Sequence, residues 1–142
     1  MAQVKFGNID IGDEIPVKIE RIVTQDMINK WAEVSDDFNP LHVDLEFART
    51  TRFGSTIAHG TLTTSYILEL LTRWLGDRWL RGGQLKGMRL IAPVKPGDTV
   101  MPRGKVVDKR VEDGKRVIEC DVWLENQNGT QAIVGKAIAV LE

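Results

Sequence analysis

The sequence predicts an α+β domain in which one long buried helix is wrapped by an antiparallel sheet. Three observations lead there. Residues 60–75 carry apolar side chains around almost the whole circumference of a helix. In the second half of the chain, from residue 84, long stretches follow a period of two. Within that half, Asp113-Gly114 and Asn128-Gly129 are dipeptides that favour tight hairpin turns.

In chain order, residues 16–23 alternate apolar and polar over most of their length, which suits a half-buried strand. Thr24 can cap a helix over 25–34, where Met27, Ile28, Trp31 and Val34 share one face of a 3.6-residue period. Ser35-Asp36-Asp37 ends it. Asp44 can cap a short helix holding Leu45, Phe47 and Ala48, broken at Gly54-Ser55. The helix over 60–75 carries Leu62, Tyr66, Ile67, Leu68, Leu70, Leu71, Trp74 and Leu75, so it is predicted to be buried rather than to lie on a surface. Glu69 and Arg73, four residues apart, supply one exposed pair, and Gly76 is a natural stop. Residues 76–83 read as a loop. Strands follow over 84–94, 100–112, 115–125 and 132–141. In the third of these, Ile118, Cys120, Val122 and Leu124 face one way while Glu119, Asp121 and Glu125 face the other. Such a sheet is a half-shell with free edges. Joining two edges across a two-fold axis removes the exposed ladder, so a homodimer with a continuous sheet is expected.

Composition narrows the class. The 142 residues form one domain, 1–142, on the length prior, and a chain of this size buries roughly 70% of its unfolded surface. Apolar residues make up 42% and charged residues 27%, ordinary values for a globular protein. Nineteen basic and twenty acidic residues leave a formal charge of −1, without the basic excess of a general nucleic-acid or membrane-surface binder. No run of 18 apolar residues could span a membrane. The opening stretch from Met1 to Gly7 lacks the apolar segment of a signal peptide. Cys120 is the only cysteine, so no intrachain disulfide and no cysteine-based zinc site can form. A reducing, cytoplasmic setting is the expectation.

The residues able to carry chemistry gather in one stretch. The two histidines, His42 and His59, both lie in it, in Asp37-Phe38-Asn39-Pro40-Leu41-His42 and in Ala58-His59-Gly60-Thr61-Leu62. Asp37 and His42, five apart across a turn at Asn39-Pro40, can bring a carboxylate and an imidazole to opposite sides of a small cavity, which suits general acid–base work. The same spacing also suits a turn aspartate beside an ordinary loop histidine, and spacing alone favours that plainer reading. If the buried helix starts at His59-Gly60, its first amides lack internal partners and its dipole favours negative charge there. A carbonyl oxygen placed at that end would be polarised, and glycine at position 60 lets a ligand approach the backbone. Equally, Gly60 can serve only to pack the helix against a strand. Asp37, Asp44, Glu46 and the histidines do not make a convincing metal set, because nothing in the sequence fixes the proximity of His42 and His59. Neither a glycine-rich phosphate loop nor a nucleophile-elbow pattern occurs.

The two histidine motifs together resemble the signature of the (R)-specific enoyl-CoA hydratases of the MaoC-like dehydratase family. The resemblance extends over nearly the whole chain, including Gly12-Asp13, the Thr24 helix, the stretch 47–54 and the Val94-Lys95-Pro96-Gly97-Asp98 turn. It implies the hot-dog fold, a long helix wrapped by an antiparallel sheet. It implies hydration of trans-2-enoyl-CoA thioesters to (R)-3-hydroxyacyl-CoA, or the reverse, without a cofactor or metal. It further implies that Asp37 and His42 hold and activate a water, that the Gly60 N–H binds the thioester oxygen, and that Ser65 lies by the active site. His59 matches the motif without being a proton-transfer residue, so its loss is expected to hurt much less unless it disturbs Gly60 and the helix start. Thr61 stands where methionine is common. Two other readings compete: a hot-dog thioesterase, whose carboxylate would lie on or near the central helix, as Glu69 does, and a subunit of a hetero-oligomeric dehydratase. Tyr66, Trp74, Trp79 and Met88 suit a core or an acyl pocket, with the core favoured. Arg49, Arg52, Lys86 and Arg89 suit either coenzyme A phosphates or scattered surface charge.

Overall fold

The computed structural model describes residues 3–141; Met1 and Ala2, the start of the opening stretch read above, and Glu142 lie outside them. A two-residue strand β1 (Arg21–Ile22) is followed by five helices, α1 (Gln25–Ser35), α2 (Pro40–Val43), α3 (Leu45–Arg49), α4 (Gly60–Leu75) and α5 (Asp77–Gly82). Four strands then complete the described chain: β2 (Gln84–Leu90), β3 (Thr99–Glu112), β4 (Lys115–Asn126) and β5 (Gln131–Val140). All neighbouring strands are antiparallel, in the order β1-β3-β4-β5-β2. This is the α+β arrangement expected, with α4 held by the sheet.

Helix α4 has the bounds that its sequence predicts. His59 is its N-cap, and Gly76, at φ 59, ends it. Leu62, Tyr66, Ile67, Leu70, Leu71, Trp74 and Leu75 are buried, and they meet Val100, Val106, Ile118, Cys120, Val122 and Leu124 of the sheet in one apolar core. Burial of a Leu or Ile side chain stabilises by about 1.5–3 kcal/mol relative to exposure, so this face anchors the helix whose start carries the site. Tyr66, Trp74 and Trp79 belong to the core. Burial pushes the Cys120 thiol up to about 12, with Asp121 and Glu119 adding to the shift, so it offers no thiolate for catalysis.

Several local expectations change. Of residues 16–23 only Arg21–Ile22 pair, with Val100 and Thr99. Ile19 and Val23 are buried and Ile22 is exposed, so the alternation of faces holds although the ladder does not. Val34, assigned to the apolar face of α1, is 81% exposed; Ala32 is buried in its place. Residues 76–83 are not a loop, because α5 packs Trp79 into the core. Glu69 is not part of an exposed pair: besides Arg73 at 2.9 Å it binds Arg21, and its side chain is 26% exposed. The strand over 84–94 ends at Leu90, with an irregular register between Lys86 and Arg89. It pairs with β5 rather than with the next strand, leaving β2 at one edge of the sheet. Asp113 and Gly114, at φ 52 and 76, make the hairpin turn their sequence favours.

Candidate active site

The site is built where three loops meet the start of α4. Thr24 Oγ1 accepts a hydrogen bond from Met27 N–H at 3.2 Å and fixes the entry of α1. At its exit Asp36 takes a left-handed conformation, φ 55, which turns the chain. Asp37 follows, and its Oδ1 accepts from Asn39 N–H at 3.2 Å. Asn39 in turn caps the one-turn helix α2, its Oδ1 accepting from Leu41 N–H at 3.0 Å, with Pro40 suited to the first helical position. The turn expected at Asn39-Pro40 is therefore a helical turn, and it carries His42 back over Asp37.

His42 is then locked from outside the turn. Its Nδ1 lies 2.8 Å from the Ile57 carbonyl oxygen. A carbonyl only accepts, so Nδ1 carries a proton, and in the neutral ring Nε2 is then the bare nitrogen. Gln25 on α1 donates from Nε2 to the His42 carbonyl at 2.8 Å and accepts from the Thr56 hydroxyl at 2.5 Å. Residues 56–58 are themselves clamped, by Ile57 N–H to Leu41 O at 3.3 Å and Ala58 N–H to Val94 O at 2.7 Å. Gln25 and Thr56 carried no sequence signal, because their partners lie 17 and 31 residues away.

These clamps bring Asp37, His42 and His59 together, with one polar side-chain atom of each within 4.8 Å of the others. The proximity of the two histidines, which the sequence did not fix, is thus set by the fold. Their rings stack, with centroids 3.9 Å apart and planes at 27°. Ring nitrogens bind a metal in the plane of the ring, and two stacked rings aim their lone pairs alongside one another rather than at one point. Moreover, His42 Nδ1 and His59 Nε2 are both engaged with backbone carbonyls. The cluster suits acid–base work better than metal ligation.

Asp37, His42, Gly60 and Ser65 all line one cleft of about 620 Å3, with Trp31, His59, Thr61, Leu68 and Leu90. Trp31 Nε1–H donates to Thr61 Oγ1 at 2.9 Å and ties α1 to the start of α4. Ser65 faces the cleft, but its hydroxyl donates to the Leu62 carbonyl at 2.5 Å. His59 makes no side-chain cap, and the first turn of α4 holds no acidic residue, so the positive end of the dipole is open to the cleft. A side chain at Gly60 would collide with that of Leu90. A second cavity of about 310 Å3 adjoins, sharing His42, Gly60 and Leu90 and adding Arg52, Phe53 and Pro93. Of the four cations considered for phosphates, only Arg52 lines either cavity. Lys86 and Arg89 line a separate groove with Trp123 and Lys136. A larger groove, about 790 Å3, lies between residues 14–20 and β3 and holds neither histidine nor Asp37. Glu69 is absent from the cleft lining and is held by two arginines.

Known proteins resemble this chain in sequence and in fold. The family model described as "MaoC like domain" matches residues 6–128. The chain is 36% identical over 112 residues to the "(R)-specific enoyl-CoA hydratase" of Aeromonas caviae, a match covering 78% of this chain and 81% of that one. Among solved structures, the monoamine oxidase regulatory protein from Archaeoglobus fulgius superposes with a TM-score of 0.83 at 30% identity, over 98% of this chain and 94% of that chain. The unliganded R-hydratase PhaJ1 from Pseudomonas aeruginosa superposes with a TM-score of 0.79 at 26% identity, over 98% of this chain and 86% of that chain.

Proposed function

The chain belongs to the MaoC-like domain family, and from that premise we propose that it hydrates trans-2-enoyl-CoA thioesters to (R)-3-hydroxyacyl-CoA and catalyses the reverse dehydration. The observation that carries this is the convergence of Asp37, the bare Nε2 of His42 and the uncapped start of α4 on one cleft. A water held between the Asp37 carboxylate and His42 Nε2 loses a proton to that pair as its oxygen bonds to C3. The electrons move through C2 toward the thioester carbonyl, whose oxygen gains negative charge and is met by the Gly60 N–H. C2 then takes a proton from the same pair, so both parts of the water add to one face of the alkene. Nothing in this sequence needs a metal or a cofactor. Ser65 assists by its position one turn into α4. The whole described chain serves as one hot-dog domain.

Incubating the pure protein with crotonyl-CoA tests the activity. Loss of the enoyl absorbance with formation of (R)-3-hydroxybutyryl-CoA is expected on chiral analysis. Formation of only the (S) product, or release of free coenzyme A as a thioesterase would give, contradicts the reading. The position of Glu69, paired with arginines outside the cleft, is what disfavours the thioesterase.

A homodimer in the cytoplasm completes the proposal. Among the described residues strand β2 pairs only on its β5 side, and β1 at the other edge has two residues. Leu68, Leu90 and Ile91, which line the two cavities, are exposed. A second copy against this side would remove both the open ladder and the exposed apolar surface. Sedimentation at assay concentration is expected to give a dimer; a fully active monomer, or activity that appears only on adding a different subunit, argues against it. Among the described residues no helix is long and apolar enough to cross a membrane.

A further inference from the structure

Asp37 and His42 reach the cleft from one short loop, and the side chain that holds both is one to which the proposed chemistry gives no part. His59 is 2% exposed. Its Nε2 lies 3.0 Å from the backbone carbonyl oxygen of Asp37. Its ring lies on that of His42, centroids 3.9 Å apart. Its other nitrogen, Nδ1, is buried without a hydrogen-bond partner. The Asp37 carbonyl can only accept, so His59 Nε2 carries the proton. A proton on Nδ1 would leave a buried donor unpaired, so Nδ1 stays bare. His42 is the reverse, with its proton on Nδ1 toward Ile57. The two stacked rings therefore hold opposite tautomers.

We infer that His59 is a positioning residue. Its Nε2–H fixes the backbone of Asp37 and its ring sets the plane of His42, so that the carboxylate and His42 Nε2 face each other across one water. The loop needs such a hold. Asp36, just before Asp37, has φ 55, the left-handed C-cap of α1, so the chain turns sharply there and Asp37 leaves the helix without a helical partner ahead of it. Asp37 itself is exposed, and its carboxylate is bonded only to the amide two residues on. Without His59, the hydrogen bond that ties the start of α4 to the Asp37 backbone is lost. Its expected importance is accordingly greater than the motif implies.

The kinetic part of this inference rests on the hydratase reading, whereas the tautomers do not. The chain has two histidines, so long-range proton–nitrogen correlation of the 15N-labelled protein gives two ring systems. At neutral pH one ring should be the Nδ1–H form and the other the Nε2–H form, and the His42→Asn variant tells which is which. A His59 ring that averages between tautomers, or that is protonated at Nδ1, overturns the inference whether or not the protein is a hydratase. In kinetics, His59→Ala should lower kcat by about 10²-fold, the scale of an ångström-sized misplacement of reacting groups. KM should stay within about twofold, since His59, although it lies in the cleft wall, is only 2% exposed and offers the substrate little surface. His59→Gln keeps an N–H that can reach the Asp37 carbonyl and should recover much of kcat. Both variants at full kcat in an active hydratase overturn the inference and leave the hydratase reading intact. An unaltered protein with no hydratase activity overturns that reading, and the tautomers then decide this one. Should His59→Ala not fold, His59→Gln and the tautomers of the unaltered protein decide.

Discussion

Asp37→Asn and His42→Asn are each expected to lower kcat for hydration by about 10²–10⁴-fold, the usual contribution of a general acid–base group. The substitutions are chosen from the local bonding. Asparagine at 37 keeps an oxygen to accept from Asn39 N–H, a bond of 3.2 Å, while removing the carboxylate's proton chemistry. Asparagine at 42 keeps an N–H near the position of Nδ1, which is 2.8 Å from the Ile57 oxygen, and removes the bare Nε2. Alanine at 42 is the poorer choice. It leaves the partly buried Ile57 carbonyl without its donor, at a cost of about 1–3 kcal/mol, well above the roughly 0.5 kcal/mol typical of a loop surface change. The pair acts on one water, so the double variant should be little slower than the slower single one. Circular dichroism checks folding, and single-turnover hydration of crotonyl-CoA reads the chemistry. Near-full activity of Asp37→Asn with normal folding would falsify the mechanism, whatever the fold.

Much of this site is legible in the sequence, for reasons that differ by residue. Helix α4 announces itself because apolar residues surround most of its circumference and Gly76 stops it, although one of them, Leu68, is exposed on the cleft side. Asp37 and His42 are legible as a motif, since Asn39 and Pro40 cap and start the turn between them through contacts two residues long. The rest depends on distant partners. His42 meets His59 only because residues 56–58 are pinned between Leu41 and Val94. Helix α5 is hidden by Gly76, Gly82 and Gly83, which signal a loop; Trp79, buried against the backbone at Gly83, overrides them. Alternation over 16–23 tells which side chains turn inward but not whether the backbone finds a ladder, and most of it does not. Val34 follows the helical period and yet faces solvent, because a period gives a face without saying how wide the covering layer is. The crossover that pairs β2 with β5 leaves no trace in either strand's own pattern.

Gly60 carries the other large effect, and two variants in a Leu90→Ala background separate its two properties. Any Cβ at 60 would strike the Leu90 side chain, so shortening Leu90 first removes that conflict. Gly60→Ala then adds a Cβ and keeps the N–H. Gly60→Pro adds a Cβ and removes the N–H. Proline is well suited to this position, which is the first of α4 and has no helical acceptor for its amide. The preceding residue, His59, at φ −60 and ψ 139, already has the extended conformation that proline demands of its neighbour. Fold and helix should therefore survive in both variants, with similar melting temperatures. If the Gly60 N–H meets the thioester oxygen as it gains charge, the proline variant should have a kcat about 10²–10³-fold below that of the alanine variant, the cost of losing one such donor. A bond formed mainly in the transition state lowers kcat and kcat/KM together and leaves KM nearly unchanged. Equal rates for the two variants would mean that the dipole of α4 or another amide, such as that of Thr61, bears the charge, and that Gly60 serves only to let Leu90 and the substrate come close.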